Sequence, residues 1–118
     1  FNEWPLMGDG LFPENVPLLS PWWHNLVDQP VVVQFIHRWW AWVLAFGALA
    51  YAGRLWQRGA TGPALAIAGI LPVQIVVGIA TLLTGVSIAV AALHQALAAL
   101  LLAAMVWGAH HAGRWARR

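Results

Sequence analysis

The chain has 118 residues, of which 61% are hydrophobic and 8% charged, with a mean hydropathy of +0.69; this composition excludes an ordinary soluble domain and reads as an integral membrane protein. The formal net charge is +2, but all four acidic residues (Glu3, Asp9, Glu14, Asp28) precede position 30 and five of the six arginines follow position 50, so charge marks topology and not a nucleic-acid surface. Cysteine is absent, which excludes disulfides, thiolate metal sites and cysteine nucleophiles and leaves metal ligation to histidine.

Residues 1–30 hold five of the seven prolines and no sustained periodicity, and are expected to form a loop with a short helix at most. Trp4, Leu6, Met7, Leu11, Phe12, Trp22 and Trp23 are too apolar for a solvated linker, so the loop should lie on the outer (periplasmic-side) membrane surface. The sequence starts at Phe1, without Met or a signal-peptide pattern, and is expected to be a piece of something longer.

A first transmembrane helix is expected over 31–56, its apolar run broken only by Gln34, His37 and Arg38 before Arg54. The 55 residues from Gly59 to Gly113 contain no Asp, Glu, Lys or Arg, too many for one span. The turn-forming cluster Thr84-Gly85-Val86-Ser87 divides them into transmembrane helices over 64–83 and 88–112, followed by a basic inner tail over 113–118. Pro72 lies inside the second span and should bend it. Three spans put Arg54 and Arg58 on the same side as Arg114, Arg117 and Arg118, which the positive-inside rule places inside. Small residues recur on all three spans, among them Ala41, Ala45, Gly69, Gly78 and Ala98, and allow close approach of helices or of a flat cofactor.

Two of the five histidines carry the chemistry. His37 and His94 each sit six residues into a span, and both spans start at the outer face, so the pair shares one depth on two parallel helices. Ionisable residues within a membrane mark functional sites by default. Two neutral imidazoles at one depth suit axial ligation of a haem iron or a hydrogen-bonded structural pair. A zinc site would need four ligands, and no cysteine or intramembrane carboxylate is there to complete it. Arg38 should lean outward, toward a haem propionate or a lipid phosphate. Gln34 and Gln95 are placed to orient the two histidines, or to bond across helices. His110 and His111 are read as interfacial, and His24 as a surface residue of the loop.

The fragments FNEWPLM (Phe1–Met7), QFIHR (Gln34–Arg38), VQIVVGIATLL (Val73–Leu83) and LHQALA (Leu93–Ala98), in this order and spacing, resemble the carboxy-terminal half of haem A synthase. The resemblance covers nearly the whole chain. It implies eight transmembrane helices in two similar four-helix halves, of which this chain would supply three helices, most of one haem-binding half-bundle. It also implies that His37 and His94 hold a haem b, with bis-histidine iron, and that the protein resides in a bacterial cytoplasmic or mitochondrial inner membrane. In the family, haem O is oxidised to haem A for cytochrome oxidase in the amino-terminal half, whose first histidine motif has a carboxylate three residues ahead; here that position is Gln34. The implied partners are that amino-terminal half, carrying the haem O site, and the lipid bilayer. The alternative is a non-catalytic membrane subunit of the same fold, packed among the subunits of a larger complex through its tryptophans, with or without haem. Trp39, Trp40 and Trp42 are bulkier than the family motif leads one to expect, and suit packing against a macrocycle or another protein.

Overall fold

A computed structural model describes residues 1–115; Arg117 and Arg118 of the expected basic tail lie outside the described residues. Three helices are long and apolar enough to cross a membrane, and the chain is an integral membrane protein. They are α1 (Pro30–Gln57), α2 (Thr61–Leu83) and α3 (Ile88–Trp115), preceded by a loop containing one short 3-10 helix at Trp22–Leu26. The helices have 28, 23 and 28 residues, against the roughly 20 that a hydrocarbon core requires.

Local chemistry sets the helix ends. Pro30 opens α1, a position where its missing N–H is no loss, and the Gln29 side chain accepts a hydrogen bond from the Val31 N–H at 3.3 Å. The same side chain donates to the Pro17 carbonyl at 2.7 Å, so the cap also ties down the loop. At the other end, Gly59 takes φ +77°, Gly59 N–H donates to the Trp56 carbonyl and Ala60 N–H to the Leu55 carbonyl, each at 2.9 Å. This paired closure satisfies carbonyls that the helix leaves open. The end of α2 repeats it: Gly85 sits at φ +64°, with Gly85 N–H on Leu82 O at 3.0 Å and Val86 N–H on Thr81 O at 2.8 Å. Both connections are therefore short, and α2 runs antiparallel to α1 and α3.

The second helix is the centre of the bundle, packed along both neighbours, while α1 and α3 barely touch each other. The shared core is confined to the half of the bundle nearest Arg54 and Arg58, here called the arginine end. It contains Ala48, Ala52 and Leu55 of α1, Ala64 and Ile67 of α2, and Leu101 and Ala104 of α3. Small side chains on facing helices let the backbones close. Where α1 and α3 do meet, the Tyr51 hydroxyl donates to the Met105 carbonyl at 3.2 Å. Beside that bond, Gly108 is buried against Leu55 and Tyr51, and a Cβ on it would lie 2.6 Å from Leu55 Cδ1 and 2.9 Å from the Tyr51 hydroxyl.

The opposite half, the loop end, has no such core, so the helices are joined at one end and leave room between α1 and α3 at the other. Gly108→Val is expected to wedge this junction apart and to destabilise the bundle by about 1–3 kcal/mol. Thermal unfolding in detergent checks it, with Gly53→Ala, where a Cβ meets nothing within 4 Å, as the neutral comparison.

Candidate functional site

The room left at the loop end is where the two intramembrane histidines meet. His37 lies seven residues into α1 and His94 six residues into α3, so their depths below the helix starts are about 10 and 9 Å. Their ring centroids are 6.4 Å apart and the ring planes are nearly perpendicular, at 84°. Two imidazoles that share one metal, each through a nitrogen at about 2.0 Å, have centroids roughly 6 Å apart. The donor set is equally informative, because no cluster of three or more His, Cys, Asp or Glu that could hold a bare metal ion occurs among the described residues. Two imidazoles suit an iron whose other four ligands come with a macrocycle.

His94 is seated on α2. A Cβ added to Gly78 would stand 2.7 Å from His94 Cε1 and 3.3 Å from Nδ1, so the imidazole occupies the space that the glycine leaves. Nδ1 of His94 is buried and has no hydrogen-bond partner. His37 is exposed on α1, facing the His94 ring across 6.4 Å. The residues present thus fit a haem held between α1 and α3. They offer two imidazoles at metal-sharing separation, a glycine cradle behind one of them, and helix halves with no core of their own.

Arg38 was expected beside a propionate or a lipid phosphate. It does lean toward the loop end, but its partners are backbone carbonyls of the amino-terminal loop. Nη1 donates to Leu6 O at 2.8 Å and Pro5 O at 3.3 Å, and Nη2 to Glu3 O at 2.8 Å and Phe1 O at 3.3 Å. The side chain is 7% exposed, and the Trp4 ring lies 5.8 Å from its guanidinium carbon. Charge-assisted bonds to four carbonyls are the means by which a cation is accommodated at this depth.

Gln34, one turn earlier, works on the same loop. Its Nε2 donates to Phe1 O at 2.6 Å and its Oε1 accepts from the Phe1 nitrogen at 3.4 Å. Gln95 is exposed. Of the two glutamines expected to orient the histidines, Gln34 therefore clasps the loop, and Gln95 is exposed, one residue after His94.

The loop itself is a compact unit. Met7 is fully buried, its N–H bonded to Gly10 O at 2.8 Å, and Gly8 N–H donates to the Glu3 carboxylate at 3.0 Å. Aromatic contacts seat it on α1: Trp4 against Trp42 at 6.2 Å and Phe12 edge-on to Phe35 at 5.2 Å, with Phe35 in turn 6.2 Å from Trp39. Of the three tryptophans, Trp42 thus meets the chain's own loop, Trp39 packs against Phe35 of the same helix, and Trp40 stays 64% exposed.

Arg38→Ala is expected to release the loop. Losing charged hydrogen bonds of about 1.5–3 kcal/mol each should raise chymotryptic cleavage within residues 1–29 at least tenfold. Arg38→Lys should not restore protection, because an ammonium cannot span four carbonyls as the planar fork does.

The remaining histidines lie elsewhere. His24 pairs with Asp28 across one turn, at 2.9 Å, in the exposed loop. His110 lines a shallow apolar groove with Ala99, Leu102, Ala103, Val106 and Trp107 on α3, toward the arginine end. The amino-acid sequence offered Gly78 as one of several small residues that admit a neighbouring helix or a flat cofactor, and did not show its place behind His94. The signal available was its membership of the VQIVVGIATLL fragment, which cannot say what the glycine faces.

The family model COX15-CtaA, described as a cytochrome oxidase assembly protein, matches residues 1–106. Among curated proteins, the chain is 54% identical over 110 residues to one named "Heme A synthase" from Rhizorhabdus wittichii, covering 93% of this chain and 32% of that protein. It is 37% identical over 113 residues to the protein of that name from Sphingopyxis alaskensis, covering 96% of this chain and 32% of the relative. It is 39% identical over 114 residues to that from Rhodospirillum centenum, covering 93% and 30%. The chain spans about a third of the length of these curated relatives. No solved structure matches it.

Proposed function

The chain belongs to the COX15-CtaA family of cytochrome oxidase assembly proteins, as a carboxy-terminal portion of the haem A synthase type, and from that premise we propose that it is the haem b-binding part of a haem A synthase. His37 on α1 and His94 on α3 would hold the haem iron. The observation that carries this reading is the 6.4 Å separation of their rings in the gap between α1 and α3.

When bound, the haem supplies one-electron redox chemistry, which the protein tunes through ligation, burial and dielectric. The chain's own residues do the rest. His37 and His94 fix the iron's depth between two parallel helices, and Gly78 leaves His94 the room to turn toward it. Arg38 and Gln34 hold residues 1–7 over the loop end of α1, next to His37, where they limit entry of water from the membrane surface. The small residues of α2 let a flat ring lie close to the backbone.

In the whole protein, the amino-terminal part carries the haem O site and performs the oxidation of haem O to haem A. Gln34 replaces a carboxylate at the position where the catalytic half would have one, and supports assigning this portion a cofactor role. The fourth helix of the half-bundle is contributed by the rest of that protein. The membrane is a bacterial cytoplasmic membrane, in keeping with the bacterial sources of the relatives. The amino-terminal loop lies outside and Arg54 and Arg58 inside, as the distribution of arginine supports.

The test is an absorption spectrum of the chain purified from membranes, with pyridine-haemochrome quantification. A low-spin bis-histidine spectrum of a b-type haem is expected. Protein expressed with ample haem and isolated without it would sink the ligation claim.

A further inference from the structure

Gln74 and Gly78 are one helical turn apart on α2 and share a face. His94 packs on that face, where a Cβ on Gly78 would lie 2.7 Å from its Cε1 and 3.3 Å from its Nδ1. Two side-chain atoms here are buried without a hydrogen-bond partner, Nδ1 of His94 and Oε1 of Gln74. Their chemistry is complementary. An amide oxygen only accepts, and an imidazole that carries its proton on Nδ1 donates there and keeps Nε2 free as a metal ligand. Buried polar groups are rarely left unpaired, so two orphans of opposite sense on neighbouring side chains point to one bond.

We propose that Gln74 is the positioning residue of His94. A turn of its side-chain amide brings Oε1 onto Nδ1–H, which satisfies both atoms, locks the tautomer and aims Nε2 into the gap between α1 and α3. The other intramembrane glutamines are not available for this role. Gln34 is committed to Phe1 through both ends of its amide, and Gln95 is exposed. The bond does not depend on haem, but its use as a ligand orienter rests on the proposed function above.

The test compares the wild-type chain with Gln74→Met, which keeps length and removes the acceptor, Gln74→Glu, which keeps an acceptor oxygen, and Gln95→Met. In haem-free protein, NMR of isotope-labelled histidine is expected to show His94 held with its proton on Nδ1 in the wild type and in Gln74→Glu, and a tautomer mixture in Gln74→Met. In haem-loaded protein, Gln74→Met is expected to speed haem transfer to apomyoglobin about tenfold or more. It should also move the midpoint potential upward, because an imidazole without an acceptor donates less charge to iron; Gln74→Glu should bring both back.

A Gln74→Met protein with wild-type tautomer, transfer rate and potential overturns the proposal, as does the same set of changes in Gln95→Met. The two levels separate cleanly. If the wild type takes up no haem, the ligation reading fails and the tautomer measurement still decides the Gln74–His94 bond. If His94→Ala loses haem while Gln74→Met matches wild type in every readout, only the role of Gln74 falls.

Discussion

Alanine in place of either His37 or His94 is expected to abolish the low-spin bis-histidine spectrum and to lower haem content at least tenfold, whereas His110→Ala leaves both unchanged. The two single variants should be nearly equivalent, because under the proposed function each would remove one of two ligands to the same iron. The prediction for His110 follows from geometry. His110 lies 16 residues beyond His94 on α3, about 24 Å along the helix axis, and it faces the groove with Ala99 and Val106 instead of the gap toward α1. No histidine occurs on α1 at that depth to share a metal with it. Absorption spectra and pyridine-haemochrome assays on the three variants, purified in parallel, check the prediction. Loss of the spectrum in His110→Ala alone would show that the shared depth of His37 and His94 was misleading.

The properties that depend on one helix at a time were legible in the amino-acid sequence. Long apolar runs read as three helical spans, because a helix satisfies its backbone hydrogen bonds within one segment of the bilayer. The depth of His37 and His94 follows from counting residues along two parallel helices, and their meeting at 6.4 Å is consistent with that count. What was hidden depends on rotation about helix axes and on contacts between residues far apart in the chain. The outward lean of Arg38 is a local property of a helix, but its partners lie 32 to 37 residues away in a loop with no regular pattern. The same holds for the tryptophans. Trp42 makes sense only once Trp4 is known to fold back onto it. Gln34, Gln74 and Gln95 look alike as uncharged polar residues within apolar runs. Only the structure separates Gln34, bound to the loop, from Gln74, on the α2 face that His94 packs against, and from the exposed Gln95.

Gly78 leads to the second large effect. Gly78→Ala is expected to lower haem affinity by about 10–100-fold, the range seen when support for a metal ligand is lost, without unfolding the bundle. The added methyl would stand 2.7 Å from His94 Cε1, closer than carbon atoms approach without repulsion, so either the imidazole turns or α2 and α3 separate. Turning is the easier response, because one side-chain torsion moves the ring whereas the helices are joined by the core around Ile67 and Leu101 at the arginine end. A turned imidazole no longer presents its nitrogen to the gap, and ligation suffers far more than folding.

Gly69→Ala on the same helix separates the two effects. There a Cβ meets nothing within 4 Å, and the higher helix propensity of alanine should leave stability equal or raised by up to about 1 kcal/mol. Haem titration and thermal unfolding in detergent, run on both variants, give the comparison. A Gly78→Ala protein that binds haem like the wild type would mean that His94 does not need the seat that α2 provides. Equal loss of haem in both variants would instead trace the defect to the helix as a whole. The expected pattern, haem affinity lost in Gly78→Ala and retained in Gly69→Ala with both proteins folded, ties the ligand to a single missing side chain on the neighbouring helix.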